Sequence, residues 1–352
     1  MTSGADFALR PLQASDGPAI DALIRGEAQT TAMAMSTHYG HDVVAAMAAQ
    51  HPTMFGVVAT TSDGDEIVGM ATAFIDEVQL GDRTLPCAHL ENLKVRHDVR
   101  RRGLGRRLAE WRIAEARRRF GGEGVIAAGI DATNEASLAT ARRWATDVDG
   151  PLRVVIGRVS SRAPARSTII VRPLEDRDVE AVVAGANAFY SGYSLYPPQT
   201  PGSLASAHAQ TALGLPIRQY RVAVRPDGTI VAGASVTERF RIMTDHIERV
   251  PIPLALLSKV FSILPPDRVI RSIELSLAWH APGHAAAGRH LWDAIRHEWR
   301  DRATHVTGIA DPRGSLGDLF VVGRSFGPRV ALMVAIQAPV PLDESRPIYL
   351  WR

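Results

Sequence analysis

Residues 8–24 (ALRPLQASDGPAIDALI) and 170–186 (IVRPLEDRDVEAVVAGA) carry one pattern twice: an extended run, Arg-Pro-Leu, an acidic position, then apolar residues at helical spacing. A chain that repeats a pattern in this way folds as two similar units, and 352 residues leave each copy long enough to bury its own core. Between the copies, SSRAPARS (160–167) is short, polar and proline-containing, with no periodicity of its own. It reads as a linker, and the expected division is 1–161 and 168–342.

Each copy predicts a mixture of strands and helices. In the first, MFGVVATT (54–61) and EIVGMATAFIDEVQL (66–80) flank an Asp-Gly turn and read as a hairpin. TLPCAHLENLKV (84–95) is a further strand, followed by a glycine-containing turn and a helical stretch to about Phe120. A strand over 125–134, a helix over 136–147 and a closing strand over 152–159 complete the order β-α-α-β-β-β-α-β-α-β. The second copy repeats it, with strands at 218–224, 229–240 and 272–279 and a helix near HLWDAIRHEWRDRA. HVTGIADPR, a short helix and RVALMVAIQAP follow, and an added apolar segment, 251–266, reads as an extra helix packed on the sheet. The fold class is α+β in both halves.

Composition removes several classes of function. Apolar residues make up 46% and charged residues 22%, so the chain folds rather than remaining disordered. No long apolar run and no basic-then-apolar leader is present, which predicts a soluble, cytoplasmic protein without membrane contact. The single cysteine, Cys87, excludes an internal disulfide and any cysteine-paired zinc site.

Ten arginines crowd the stretch from Arg96 to Arg119, around Gly103 and Gly105. Glycines let backbone N–H groups approach a ligand, and a helix start flanked by arginines suits a pyrophosphate. The spacing alone fits equally well a tight turn followed by a solvated basic face. Without a recognition motif beside it, the cluster does not predict nucleic-acid binding.

VRHDVRRRGLGRRLAEW (95–111) resembles the signature of the GNAT superfamily of acyl-CoA-dependent N-acyltransferases, R/Q-x-x-G-x-G/A, matched by Arg100, Gly103 and Gly105. The element order of residues 8–159 follows the same family. The resemblance implies two tandem GNAT folds, each with a mostly antiparallel, splayed sheet flanked by helices. It implies acetyl-CoA as cosubstrate, with Leu93 and Val95 on the splayed strand edge and Arg100, Arg101, Arg102, Gly103, Leu104, Gly105 and Arg106 about the pyrophosphate. Asn134 stands where the family often places an asparagine near the cofactor. His89 and Glu91 fall where members carry a catalytic His or Glu, and their spacing puts both on one face unless a bulge inverts it. Glu91 is the first choice for general base, with His89 beside it.

Two departures qualify the resemblance. Ala141 stands where many members carry a proton-donating tyrosine, so Tyr39, a tyrosine of the second copy or water takes that part. In the second copy Gly283, Ala286 and Gly288 align with Arg100, Gly103 and Gly105, which predicts loss of acyl-CoA binding there. His280, His284 and His290 near that loop lack a completing carboxylate or cysteine, so no metal is expected. NAFYSGYSLYPP (187–198) reads as packing between the halves, or as a wall of the acceptor site. The expected activity is acetyl transfer to a primary amine, of a small molecule, by a monomer or homodimer. The alternative is a non-catalytic acyl-CoA-binding sensor or scaffold.

Overall fold

The computed structural model describes residues 7–26, 29–30, 34–62, 66–209, 211–250, 264–320 and 330–350. Counting strands longer than two residues, the first repeat runs β1 (Phe7–Pro11), α1 (Gly17–Gly26), β2 (Ala34–Tyr39), α2 (Val43–Gln50), β3 (Phe55–Thr61), β4 (Ile67–Leu80) and β5 (Arg83–Val95). It continues through α3 (Leu104–Phe120), β6 (Val125–Asp131), α4 (Glu135–Ala141) and β7 (Asp147–Arg158). The second repeat runs β8 (Ile170–Pro173), α5 (Val179–Tyr190), α6 (Pro201–Ala209), β9 (Arg218–Val224), β10 (Ile230–Thr237) and β11 (Met243–Arg249). β12 (Ser272–His280), α7 (Ala285–Glu298), β13 (His305–Ala310) and β14 (Ala331–Gln337) complete it.

The repeated Arg-Pro-Leu motif is a helix-starting device. Arg10 holds Asp16 with two guanidinium nitrogens at 2.8 and 2.7 Å, and Asp16 accepts from the Gln13 backbone N–H at 2.8 Å. Arg172 holds Asp178 in the same way, and Asp178 accepts from the Glu175 N–H at 2.9 Å. Each arginine thus ties its edge strand to the entry of the following helix, whose apolar face (Ile20, Leu23, Ile24 in α1; Val182, Val183, Ala186 in α5) is buried.

Among the described residues twelve strands form one continuous sheet in the order β1-β3-β4-β5-β6-β14-β7-β13-β12-β10-β9-β8. Within it β5 with β6 and β12 with β13 are parallel, and the remaining neighbours are antiparallel. The two repeats exchange their last strands. β14 lies between β6 and β7, with Leu332 opposite both Asp131 and Leu152, while β7 pairs with β13, Gly157 opposite Val306. The 160–167 linker therefore separates two repeats in sequence but not two sheets in space. β7 also begins at Asp147, earlier than the expected 152, and α4 ends at Ala141 rather than near 147. Pairing of Asp147 and Val148 with β14 makes this stretch a strand.

Two strands lie outside the expected pattern. β2 and β11 pair across the repeats, Tyr39 opposite Met243 and Thr37 opposite Asp245, in a small second sheet. Of the expected helix over 251–266, residues 251–263 lie outside the described residues, and 264–266 are not helical. In the aromatic segment, Tyr190, Tyr193 and Tyr196 are buried, and the backbones of Leu195 and Tyr196 bond Gln79 of β4 at 2.9 and 3.1 Å. This segment therefore packs one repeat on the other. No helix among the described residues is long and apolar enough to cross a membrane.

Candidate active site

Gly103 caps α3 in the left-handed region, at φ 77°, where a side chain would be strained. Gly105, in the first turn of the helix, has no such need. A β-carbon there would meet only Val95 Cγ2, at 4.0 Å, and one on Gly103 would meet nothing. The loop is thus open around both glycines at the start of α3, where helix N–H groups lack intrahelical acceptors, as an anion cradle requires.

Most of the arginine cluster is occupied elsewhere. Arg96 is held by Glu66 and Asp98, Arg107 donates to the Phe7 carbonyl, Arg117 to Gln337, and Arg118 and Arg119 to Glu115. Arg100 donates through Nε to the Val95 carbonyl, 2.9 Å. Arg101 and Arg102 are exposed with no ion pair among the described residues, and Arg106 has a long contact to Glu110, 3.6 Å. The basic face reduces to a few guanidiniums at the loop.

Beside the loop the sheet opens. β5 and β6 pair only at Cys87–Val125, Ala88–Ile126 and His89–Ala127, although β5 continues to Val95 and β6 to Asp131. Over the same stretch β5 carries a bulge: Thr72 is opposite Glu91 and Met70 opposite Lys94, with Asn92 at φ 51°. Asn92 Nδ2 donates to Thr72 Oγ1 at 3.0 Å, which holds the irregular residue in place. The bulge inverts the facing along the strand. Before it, His89 lies against Phe74, ring centroids 4.7 Å apart, and Phe74 stacks on His51 at the end of α2. After it, Leu93 and Val95 pack toward Leu104 and Leu108 of α3.

The two candidate bases have different surroundings. His89 is buried, and burial pulls its imidazole well below the ordinary value, so it is neutral. Glu91 is half-buried at the seam with the second repeat, where its charge acts on Tyr39, Arg112 and Arg239. Tyr39, pushed up to about 12 by burial, is a neutral phenol there. Asn134 acts locally, since its Oδ1 accepts from the Ser137 N–H, 3.1 Å, and caps α4. Ala141 is buried. Cys87 is buried too, and burial pushes its thiol well up, which leaves it unreactive.

Arg112 is a site residue that the cluster concealed. It is buried on α3, and its Nη1 donates to the carbonyls of Thr72 (2.9 Å) and Glu91 (2.6 Å), the facing pair of β4 and β5 beside the bulge. Burial pulls it down to about 10, still charged at neutral pH. The signal was its spacing: Leu104, Leu108, Arg112 and Ala116 fall on one helix face, the buried one.

The second repeat has the same openings, closed by its own side chains. The buried faces of α3 and α7 correspond as Leu104 to Ala287, Leu108 to Leu291, Ala109 to Trp292 and Arg112 to Ile295, which sets Gly288 against Gly105. A β-carbon on Gly288 would lie 2.8 Å from Leu319 Cγ. β12 and β13 also part after Glu274–Thr307, but Leu316, Phe320 and Tyr349 enter the wedge and leave a cavity of about 20 Å³, room for about one water. Among the described residues no group of three or more His, Cys, Asp or Glu converges as a metal site.

Comparison with known proteins agrees with this geometry. No curated protein matches the sequence. A Saccharomyces cerevisiae N-myristoyltransferase with bound myristoyl-CoA is similar in structure at 12% identity and TM-score 0.63, covering 96% of this chain and 83% of that one. A GCN5-related N-acetyltransferase from Sphaerobacter thermophilus is similar at 14% identity and TM-score 0.53, covering 96% and 98%. At such identities these likenesses concern the fold. The model of the acetyltransferase (GNAT) family matches residues 26–145, which contain the loop, the bulge and the open wedge. Residues 26–145 of this chain thus match the GNAT acetyltransferase family, and the fold of the whole chain is similar to that of the two N-acyltransferase structures.

Proposed function

We propose that the first repeat (1–161) binds acetyl-CoA and passes its acyl group to a primary amine of a small molecule, while the second (168–342) binds no acyl-CoA and shapes the acceptor side. The observation that carries this reading is the contrast between the open space over Gly105 and the Leu319 side chain over Gly288. Gly103, Leu104 and Gly105 would offer backbone N–H groups to the pyrophosphate, with Arg101, Arg102 and Arg106 around it. Leu93 and Val95 line the parted edge of β5. Bound acyl-CoA supplies a thioester carbonyl for attack by the amine.

The chain's own residues supply proton control. Glu91 accepts the amine proton, directly or through one water. Arg112, bonded to the backbone of Glu91 and of the facing Thr72 beside the bulge, holds Glu91 at that point of the strand. Tyr39, a neutral phenol within the field of Glu91, is the candidate donor to the departing thiolate in place of the residue replaced by Ala141. His89 serves as scaffold against Phe74.

Acceptor-dependent release of CoA from acetyl-CoA, measured over a panel of small primary amines, tests the proposal. Release that requires an amine and disappears in Gly105→Val supports it. Tight acetyl-CoA binding with no release for any amine supports a sensor instead.

A further inference from the structure

The seam between the repeats holds charges that packing does not account for. Arg218 of β9 stands opposite Thr237 of β10, which stands opposite Glu274 of β12, so the three lie side by side on one face of the sheet. Arg239, two residues past the end of β10, donates through Nη2 to Met243 Sδ, 3.3 Å, and Met243 pairs with Tyr39 across the seam. Burial is the largest single influence on both guanidiniums; it pulls Arg218 down, whereas at Arg239 the surrounding negative charges outweigh it and push it up, and both residues retain part of their surface.

Elsewhere this chain pairs such groups closely. Buried Arg221 is bidentate to Glu298 at 2.9 and 2.6 Å, and buried Glu238 is met by Arg302 and Trp299 at 2.9 and 2.7 Å. Among the described residues, neither Arg218 nor Arg239 comes within ion-pair distance of a carboxylate. Arg218 donates through Nε to Thr237 Oγ1 at 3.3 Å. Yet Glu274 acts on both, Asp76 on Arg218, and Asp245 and Glu91 on Arg239. Asp245 is itself held by Thr37 at 2.8 Å. Strand register sets Arg218 and Glu274 on one face, flanking Thr237, without a direct ion pair, and a desolvated cation such as Arg218 left without a carboxylate partner is costly to the fold alone.

We propose that Arg218 and Arg239 bind an anionic group of the acceptor, so that the acceptor is a zwitterion whose carboxylate or phosphate lies on the two guanidiniums while its amine lies by Glu91. This rests on the reading of the Glu91 side of the seam as the transfer site. It assigns the second repeat a recognition role and gives the acceptor a chemical class.

The test uses the intact chain saturated with acetyl-CoA. Calorimetry follows binding of alanine, glutamate, lysine and phenylalanine, the α-carboxamides of each, phosphoethanolamine and spermidine, and CoA release is read from the same mixtures. The expected result is binding of an amino acid or of phosphoethanolamine, which also decides between carboxylate and phosphate, and binding of the matched carboxamide at least ~10-fold weaker. Arg218→Gln and Arg239→Gln each weaken the anionic amine on the order of 10–100-fold, the size of a lost hydrogen bond to a charged group, with acetyl-CoA affinity unchanged. Arg239→Lys recovers part of the loss. Equal binding of acids and carboxamides, preference for spermidine, no binding of any anionic amine, or Gln variants with undiminished affinity would each overturn the proposal. Binding with no CoA release would leave the anion site standing and remove the transfer reading, so the two fail separately.

Discussion

Leu319 occupies the space that a side chain on Gly288 would need, its Cγ 2.8 Å from the β-carbon position, whereas the matching position on Gly105 meets only Val95 Cγ2 at 4.0 Å. Equivalent glycines therefore answer to different constraints. In α7 the glycine admits the chain's own core, and in α3 nothing in the described chain requires it.

Opposite signs follow for two small substitutions. Gly105→Ala replaces an unforced helical glycine and is expected to raise stability by about 0.5–1 kcal/mol while weakening acetyl-CoA binding. Gly288→Ala presses on Leu319 and is expected to lower stability by about 1–3 kcal/mol. Urea unfolding of both variants, with calorimetric titration of acetyl-CoA into the first, checks the pair. A destabilised Gly105→Ala with normal affinity would show that the glycine serves the fold.

For the proton-transfer groups, Glu91→Gln is expected to lower turnover by about 10²–10⁴-fold with little change in acetyl-CoA affinity. His89→Ala removes a ring buried against Phe74, so its main effect is on stability, a loss of about 2–4 kcal/mol, with a smaller effect on turnover. Steady-state kinetics beside thermal unfolding separate the two. A larger kinetic loss for His89→Ala, in protein still folded, would transfer the base to His89.

Exchange of β7 and β14 bears on dissection of the chain. Residues 1–161 alone would expose the edge of β6 that β14 covers, and residues 168–342 alone would expose the edge of β13 that β7 covers. Each fragment is expected to aggregate when made singly, and the two co-expressed are expected to form a soluble complex. Size-exclusion chromatography decides; two well-folded, monomeric fragments would mean that the exchanged strands contribute little.

Acid sensitivity follows from the buried imidazoles. Burial pulls His51, His208 and His305 each down to about 4 from the ordinary 6.5, and pulls His89 well below it. The unfolded chain takes up these protons near pH 6.5 and the folded chain only near 4, so unfolding binds protons in that window. Their contribution to stability is fully present above about pH 6.5 and is lost as pH falls through about 4. Tm is expected to be flat from about pH 7 to 8 and to fall below about 6.5. A Tm constant down to about pH 5 would show that these rings protonate in the folded state.

The sequence by itself determined whatever depends on neighbouring residues. The Arg-Pro-Leu repeats, the Asp-Gly hairpins, the strand at 84–95 and the glycine turn before α3 were legible because alternation, helical spacing and turn chemistry act over a few residues. The tertiary structure alone decided the rest. β2 and β11 are short and lack a strong pattern of their own; they are strands because each supplies the other's hydrogen bonds from far along the chain. The strand exchange is a choice of partner between edges that local pattern leaves equivalent. Glu91 and Leu93, two residues apart, would share a face in a regular strand, and the bulge at Asn92 sets them on opposite sides. Arg112, Arg218 and Arg239 read as three among many arginines until folding withdraws them from water wholly or in part, because desolvation is set by what packs around a charge rather than by its place in the sequence.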